Sequence, residues 1–285
     1  MKLSSRARRI NRSTGGDIFI FVVLGIAAAF MALPLVYAVS NAFKPLNELF
    51  LFPPQFFVRN PTLDNFRDLF VLKGNSWVPF SRYAFNTLLI TLLGTAGHVI
   101  LASLGAYAVA KFRFPGRNLF SSLVLISLMF APQVTAVPNY LVMSRLGWID
   151  TYLSIIVPAW GMSLGFYLMS KFMGQIPDDL LWAARVDGAS ELLIFWKIVM
   201  PYVKPAWLTL VILSFQQMWG TTGGRFIYSE ELKTLPYALQ QIVAGGIARA
   251  GVSAAVGLIM MIIPITIFVF NQSRVVETMG TSGID

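Results

Sequence analysis

Six stretches of this chain are too long and too apolar for a fold exposed to water on all sides. A helix needs roughly 20 predominantly apolar residues to cross a bilayer core. Residues 18–43, 83–110, 119–143, 152–172 and 252–270 meet that demand. Residues 207–219 meet it once flanks are added, from about 202 to 222. Composition agrees: 56% of the 285 residues are hydrophobic and 12% charged, where soluble domains carry about 25% charged residues. The fold expected is all-α, a polytopic membrane protein of six transmembrane helices.

The net charge of +9 lies in short basic runs between apolar stretches. That pattern fits a membrane surface with its lipid and excludes nucleic acid as the natural partner. Lys2, Arg6, Arg8, Arg9 and Arg12 crowd the start, and Lys111, Arg113 and Arg117 form a loop without acid. Both runs belong on the cytoplasmic side. Residues 44–82 mix signs and fall outside, so both termini face the cytoplasm. The domain reading is a cytoplasmic segment 1–16, a transmembrane domain 17–271 with its core at 82–271, and a cytoplasmic tail 272–285. The first apolar run is too long for a cleaved signal peptide and is read as a retained span.

No cysteine occurs and His98 is the sole histidine, so no metal site is expected. His98 is also the only ionisable residue near the middle of a span. Ion-coupled carriers place mobile charge there, and a lone membrane histidine instead reads as a neutral hydrogen-bonding group between helices. Pro34, Pro132, Pro138, Pro158 and Pro264 interrupt the spans and tend to kink them. The chain has no phosphate loop or zinc-protease helix, so it is not read as an enzyme. A powered transporter built on it needs its ATPase in another chain.

The most distinctive segment is the loop 175–205 between the fourth and fifth spans. Pro177 can open a helix, and Asp178 and Asp179 favour its first turn. Gly188 tolerates positive φ and stops it. Ser190 can cap a second helix that carries Glu191 in its first turn. The pattern is helix, glycine turn, helix. Small residues at Ala183, Ala184, Gly188 and Ala189 suit a knuckle seated in a partner's groove. An amphipathic pair lying on lipid fits the composition as well.

The loop resembles the cytoplasmic motif of ABC importer permeases, E-A-A-x-x-D-G-A-x(5)-F-x-x-I-x-x-P-x-x-x-P. Ala183, Ala184, Asp187, Gly188, Ala189, Phe195, Ile198, Pro201 and Pro205 stand at matching spacings. Trp182 occupies the place of the leading glutamate, with Asp178 or Asp179 one turn away as substitutes in another register. The segments Asn60-Pro61-Thr62-Leu63-Asp64-Asn65-Phe66, Ala106-Tyr107-Ala108 and Phe112-Arg113-Phe114-Pro115-Gly116-Arg117 are similar to carbohydrate permeases of the maltose-transporter type. So is the tail beginning Gln272-Ser273-Arg274.

That resemblance implies a type I, binding-protein-dependent importer in a bacterial plasma (inner) membrane. It implies a second homologous permease subunit, two ATPase subunits, and an extracellular sugar-binding lipoprotein or periplasmic binding protein. No cofactor is expected on this chain, with ATP and Mg held by the ATPase. Trp182, Ala183, Ala184, Asp187, Gly188, Ala189, Ser190, Phe195 and Pro201 would form the ATPase-coupling element. Gln133, Asn139, Gln217 and Trp219 are candidates for the sugar path. Gly223, Gly224, Glu230 and Glu231, in the outer segment 221–251, would meet the binding protein. A plain amphipathic helix packed on the bundle is the other reading of that segment. The alternatives in function are a permease for an amino acid, peptide or phosphonate, and a membrane scaffold without transport.

Overall fold

The computed structural model describes residues 14–74, 78–131, 133–246 and 249–281. The basic residues of 1–13, Pro132 and residues 282–285 lie outside the described residues, as do the side chains of 272–281. All regular structure among the described residues is helical. The chain runs α1 (Thr14–Phe43), α2 (Leu46–Leu49), α3 (Asp64–Gly74), α4 (Phe80–Lys111), α5 (Arg117–Ser127), α6 (Ala136–Arg145), α7 (Leu153–Trp160) and α8 (Ser163–Gly174). It continues with α9 (Asp178–Val186), α10 (Glu191–Ile194), a π-helical turn Phe195–Val199, α11 (Met200–Tyr202), α12 (Lys204–Trp219), a 3-10 turn Glu230–Leu232, α13 (Leu235–Ala244) and α14 (Ala250–Thr281).

Four helical segments among the described residues are long and apolar enough to cross a membrane: Gly15–Phe43, Phe80–Lys111, Leu153–Gly174 and Ala250–Asn271. A fifth arises if Glu191–Tyr202 and Lys204–Trp219 count as one span bent by 81°. The stretch 119–143 is not one helix. It splits into α5 and α6, and Pro138 falls in the first turn of α6, where its missing donor is harmless. Residues 202–222 narrow to α12, with Pro205 in its opening turn. The last helix outruns its apolar stretch and reaches Thr281, because the sequence offers no proline after Pro264 and no glycine until Gly280.

α4 is the central element and packs on α7, α8 and α12, while α14 packs on α1, α3, α12 and α13. Two pairs of small and large residues bring α4 close to the α7–α8 unit. Trp160 lies over Gly97, and His98 lies over Gly165. His98 Nδ1 stands 3.3 Å from the Trp160 carbonyl, as a neutral interhelical hydrogen bond requires. One apolar cluster gathers at the end where α9 sits, around Tyr107, Met173, Ile194 and Phe195. A second gathers at the opposite end, around Leu69, Tyr83, Leu235 and Val256. There α13 buries Leu235, Ala238 and Ile242 against the bundle, as an amphipathic helix should.

Candidate functional site

The helix–glycine–helix reading of 178–194 is realised in detail. Pro177 precedes α9, and Asp178 and Asp179 occupy its first turn. At its other end the N–H groups of Asp187, Gly188 and Ala189 return to the carbonyls of Ala183, Arg185 and Ala184, each at 3.0 Å. Gly188 has φ +82°, the left-handed conformation that closes helices. Ser190 then caps α10 by accepting from the Leu193 N–H at 3.4 Å.

Two ties, an ion pair and a tyrosine–carboxylate hydrogen bond, fasten this knuckle to the end of α4. Lys111 Nζ donates to Asp178 Oδ1 at 2.7 Å and also to the Ile176 carbonyl. The Lys111 side chain is 5% exposed while Asp178 is 71% exposed. The bond from Lys111 and its charge hold the Asp178 carboxyl below its ordinary range. In the second tie, Tyr107 donates its hydroxyl to Glu191 Oε2 at 2.9 Å. Arg185 Nε donates to Glu191 Oε1 at 2.6 Å and Nη2 to Oε2 at 3.3 Å. The bond to Glu191 raises the Arg185 guanidinium above its ordinary value. The same guanidinium lies 5.0 Å from the Trp182 ring centroid and 5.8 Å from that of Phe112.

The knuckle presents an apolar outer face. Trp182 is 61% and Val186 85% exposed, with Ala183, Asp187 and Gly188 exposed beside them. Ala184 and Ala189 pack inward on the core cluster, and Phe195 is buried within it, 5.6 Å from Tyr107. Trp207 Nε1 donates to the Met200 carbonyl at 3.1 Å, across the bend that follows.

At the opposite end a cavity of about 380 Å³ opens between α7, α12 and the loop after α12. Ser154, Pro158, Gln217, Thr222, Arg225 and Phe226 are among its lining residues. Asp150, at φ +60°, fixes the loop's far side. Its carboxylate accepts from the Tyr228 and Ser229 N–H groups at 2.9 and 2.8 Å and from the Ser229 hydroxyl. These bonds, the hydroxyl first, hold the Asp150 carboxyl below the ordinary range. Asn86, fully buried on α4, donates to the carbonyls of Glu231 and Lys233, both at 2.8 Å, and accepts from Tyr152 at 2.7 Å.

A family model described as "Binding-protein-dependent transport system inner membrane component" matches residues 99–278, which include the whole knuckle. The chain belongs to this family. It is thus a multi-pass membrane permease of the binding-protein-dependent transport systems. An sn-glycerol-3-phosphate transport system permease of Yersinia enterocolitica is 31% identical over 74% of the chain and 75% of that protein. An arabinooligosaccharides transport system permease of Halalkalibacterium halodurans is 29% identical over 96% and 99%. A galactooligosaccharides transport system permease of Bacillus subtilis is 28% identical over 93% and 94%. Among solved structures, a bacterial ABC transporter involved in import of the acidic polysaccharide alginate shares the fold. Its TM-score is 0.77 at 23% identity, over 96% of this chain and 99% of that one.

The permease unites some of the residues singled out from sequence and separates others. Gln217, Gly223 and Gly224 line one cavity. Gln133 and Asn139 are exposed in and before α6 and do not line it. Trp219 is 3% exposed, stacks on Phe215 at 5.7 Å and donates to the Met260 carbonyl at 3.0 Å, so its polar edge is spent on α14. Glu230 accepts the Tyr83 hydroxyl, and the Glu231 backbone carbonyl accepts from Asn86 and Arg82. Sequence reasoning missed Tyr107, Lys111 and Arg185 as knuckle ties, and Asp150 and Arg225 at the other end. The bare signal for Tyr107 and Lys111 was their spacing of four on one helix face.

Proposed function

We propose that this chain is a transmembrane permease subunit of an ATP-driven importer, forming with a second homologous permease the path for a sugar or oligosaccharide. An extracellular binding protein delivers the solute, and two separate ATPase subunits hold ATP and Mg and drive the cycle. The observation that carries this reading is the knuckle: an exposed apolar face at Trp182, Ala183 and Val186, tied to α4 through Lys111 and Tyr107, in a chain of the binding-protein-dependent family.

In this reading the knuckle faces the cytoplasm and docks in a cleft of the ATPase. Six crossings place both termini inside, with α5 and α6 together making the third and the bent pair ending in α12 making the fifth. The domain is 17–271, with cytoplasmic ends 1–16 and 272–285. Trp182, Ala183, Asp187, Gly188 and Ser190 form the docking surface. Ala184, Ala189, Phe195 and Pro201 support it from within and at the bend. The cavity at Gln217 belongs to the solute path; Gln133 and Asn139, exposed outside that cavity, and the buried Trp219 are assigned to the same path. The loop with Gly223 and Gly224, and the turn at Glu230 and Glu231, meet the binding protein. The chain performs no covalent chemistry. Its work is the conversion of a rigid-body shift at the knuckle into opening of the bundle.

Relatives named for arabino- and galactooligosaccharides support the sugar, and they align along nearly the whole chain. The 31% relative named for sn-glycerol-3-phosphate, with Arg225 at the cavity, favours one second reading, a phosphorylated polyol. The test is ATP hydrolysis and uptake by the purified complex with its binding protein, against neutral saccharides and phosphorylated polyols. Saccharide-stimulated turnover is the expected result, and stimulation by phosphorylated polyols alone selects the second reading. Ala183→Arg, which alters an exposed residue, is expected to abolish the stimulation while membrane insertion persists. Normal stimulation in that variant would sink the docking assignment.

A further inference from the structure

We propose that Glu191, Tyr107 and Arg185 are positioning residues that join the knuckle and α4 into one rigid body throughout the transport cycle, making α4 the rod that carries motion across the membrane. The proposal rests on the reading of the knuckle as the ATPase-docking element.

Three elements meet on one carboxylate. Glu191 of α10 accepts from Arg185 of α9 and from Tyr107 of α4. Tyr107 is buried, and its ring is fixed by edge contact with Phe112 at 5.4 Å and by Phe195 at 5.6 Å. One helical turn further along α4, Lys111 makes the second tie, to Asp178 at the start of α9. Charge-assisted bonds are about twice as strong as neutral ones, and two ties one turn apart resist rotation as well as separation.

The chain beyond the knuckle changes direction sharply. A π-helical turn at Phe195–Val199 leads to Val203, where the helices bend by 81°. Packed elements shift as bodies about such joints. Motion received at Trp182 therefore passes into α4 and is taken up by bending near Val203. At its far end α4 bears Asn86, which holds the carbonyls of Glu231 and Lys233. Asn86 and Tyr107 are roughly 30 Å apart along a straight helix. A single rod thus links the knuckle to the segment at the other end of the bundle.

The experiment compares solute taken up per ATP hydrolysed in the reconstituted complex with its ATPase subunits and binding protein. A merely structural role lowers both quantities together and leaves their ratio unmoved. Glu191→Gln keeps the side-chain volume and removes the charge shared by Tyr107 and Arg185. It is expected to lower uptake per ATP roughly tenfold while the ATPase subunits still co-purify. In a second arm, Tyr107→Cys and Glu191→Cys introduce the only cysteines of this chain. The untied double variant loses coupling, and joining the pair with a short bifunctional thiol reagent restores it. An unchanged ratio in Glu191→Gln, or a tie that fails to restore coupling or arrests the cycle, overturns the joint alone. A wild-type chain that binds no ATPase subunit overturns the docking reading and the joint with it.

Discussion

The indole of Trp160 lies against the bare Cα of Gly97: a Cβ there would stand 2.1 Å from Nε1, which donates to the Leu93 carbonyl at 3.0 Å. Gly97→Ala therefore forces the indole to move and give up that bond. Overpacking of this kind costs about 1–3 kcal/mol. The expected outcome is a clear drop in the thermal unfolding midpoint in lipid nanodiscs. Gly25→Ala in α1, where an added Cβ meets no heavy atom within 4 Å, is the control and is expected to leave the midpoint unchanged.

Asn86 should be the most sensitive polar residue in α4. Asn86→Ala takes their Asn86 partner from the Lys233 carbonyl and the Tyr152 hydroxyl, and leaves the Glu231 carbonyl with Arg82 alone. Each orphaned buried group costs about 1–3 kcal/mol. The variant is expected to lose stability and to release the segment around the 3-10 turn. Limited trypsin digestion checks this, through faster cleavage after Arg225 or Lys233 than in wild type.

The Asp150 clamp has a defined pH dependence. Its carboxyl is depressed in the folded chain, so its contribution is complete above the unfolded value of about 3.9 and is lost as pH falls through the lower folded value. Asp150→Asn keeps a residue suited to φ +60° but removes the charge. The stability gap between the two proteins is expected to stay constant from neutral pH to about 5, then to close as the wild-type carboxyl protonates below about 4. Denaturation midpoints across that range check it, and a gap that persists in strong acid counts against the clamp.

Trp182 is expected to matter for assembly and hardly at all for the fold. The residue is 61% exposed, and the Arg185 guanidinium lies 5.0 Å from its ring centroid. An exposed substitution away from packed features changes stability by roughly 0.5 kcal/mol or less. A large aromatic at the centre of an interface is worth about 2 kcal/mol or more there. Trp182→Ala should therefore unfold like wild type yet hold its ATPase far more weakly, as titration of the separated subunits will read. Equal affinity in the variant would remove Trp182 from the docking surface.

What the sequence disclosed follows the range of the interactions concerned. Pro177, Gly188 and Ser190 act on the backbone within a few residues, so the knuckle's helix, turn and cap are legible in the residue order itself. Apolarity alone does not record whether a stretch is continuous, so residues 119–143 read as one helix where α5 and α6 are two. The ties from Tyr107 to Glu191 and from Lys111 to Asp178 join residues 84 and 67 positions apart. No local pattern announces partners at such separations. Trp219 was read toward solute because aromatics line sugar sites, and its bond to Met260 depends on how α12 and α14 cross.

α1 packs on α14 yet leaves most of its own surface uncovered. None of the most apolar 18-residue window of Gly15–Phe43 is buried, and only near its end do Ser40 and Ala42 become covered. A hydrocarbon slab sets the depth of such a helix but leaves its azimuth free, since every side of it is equally oily. The facing of Phe21, Phe30 and Met31 must then be decided by whatever stands next to them. This polypeptide carries the instructions for its bundle and for the side of its first helix that meets α14, and leaves the outer face of that helix to its surroundings.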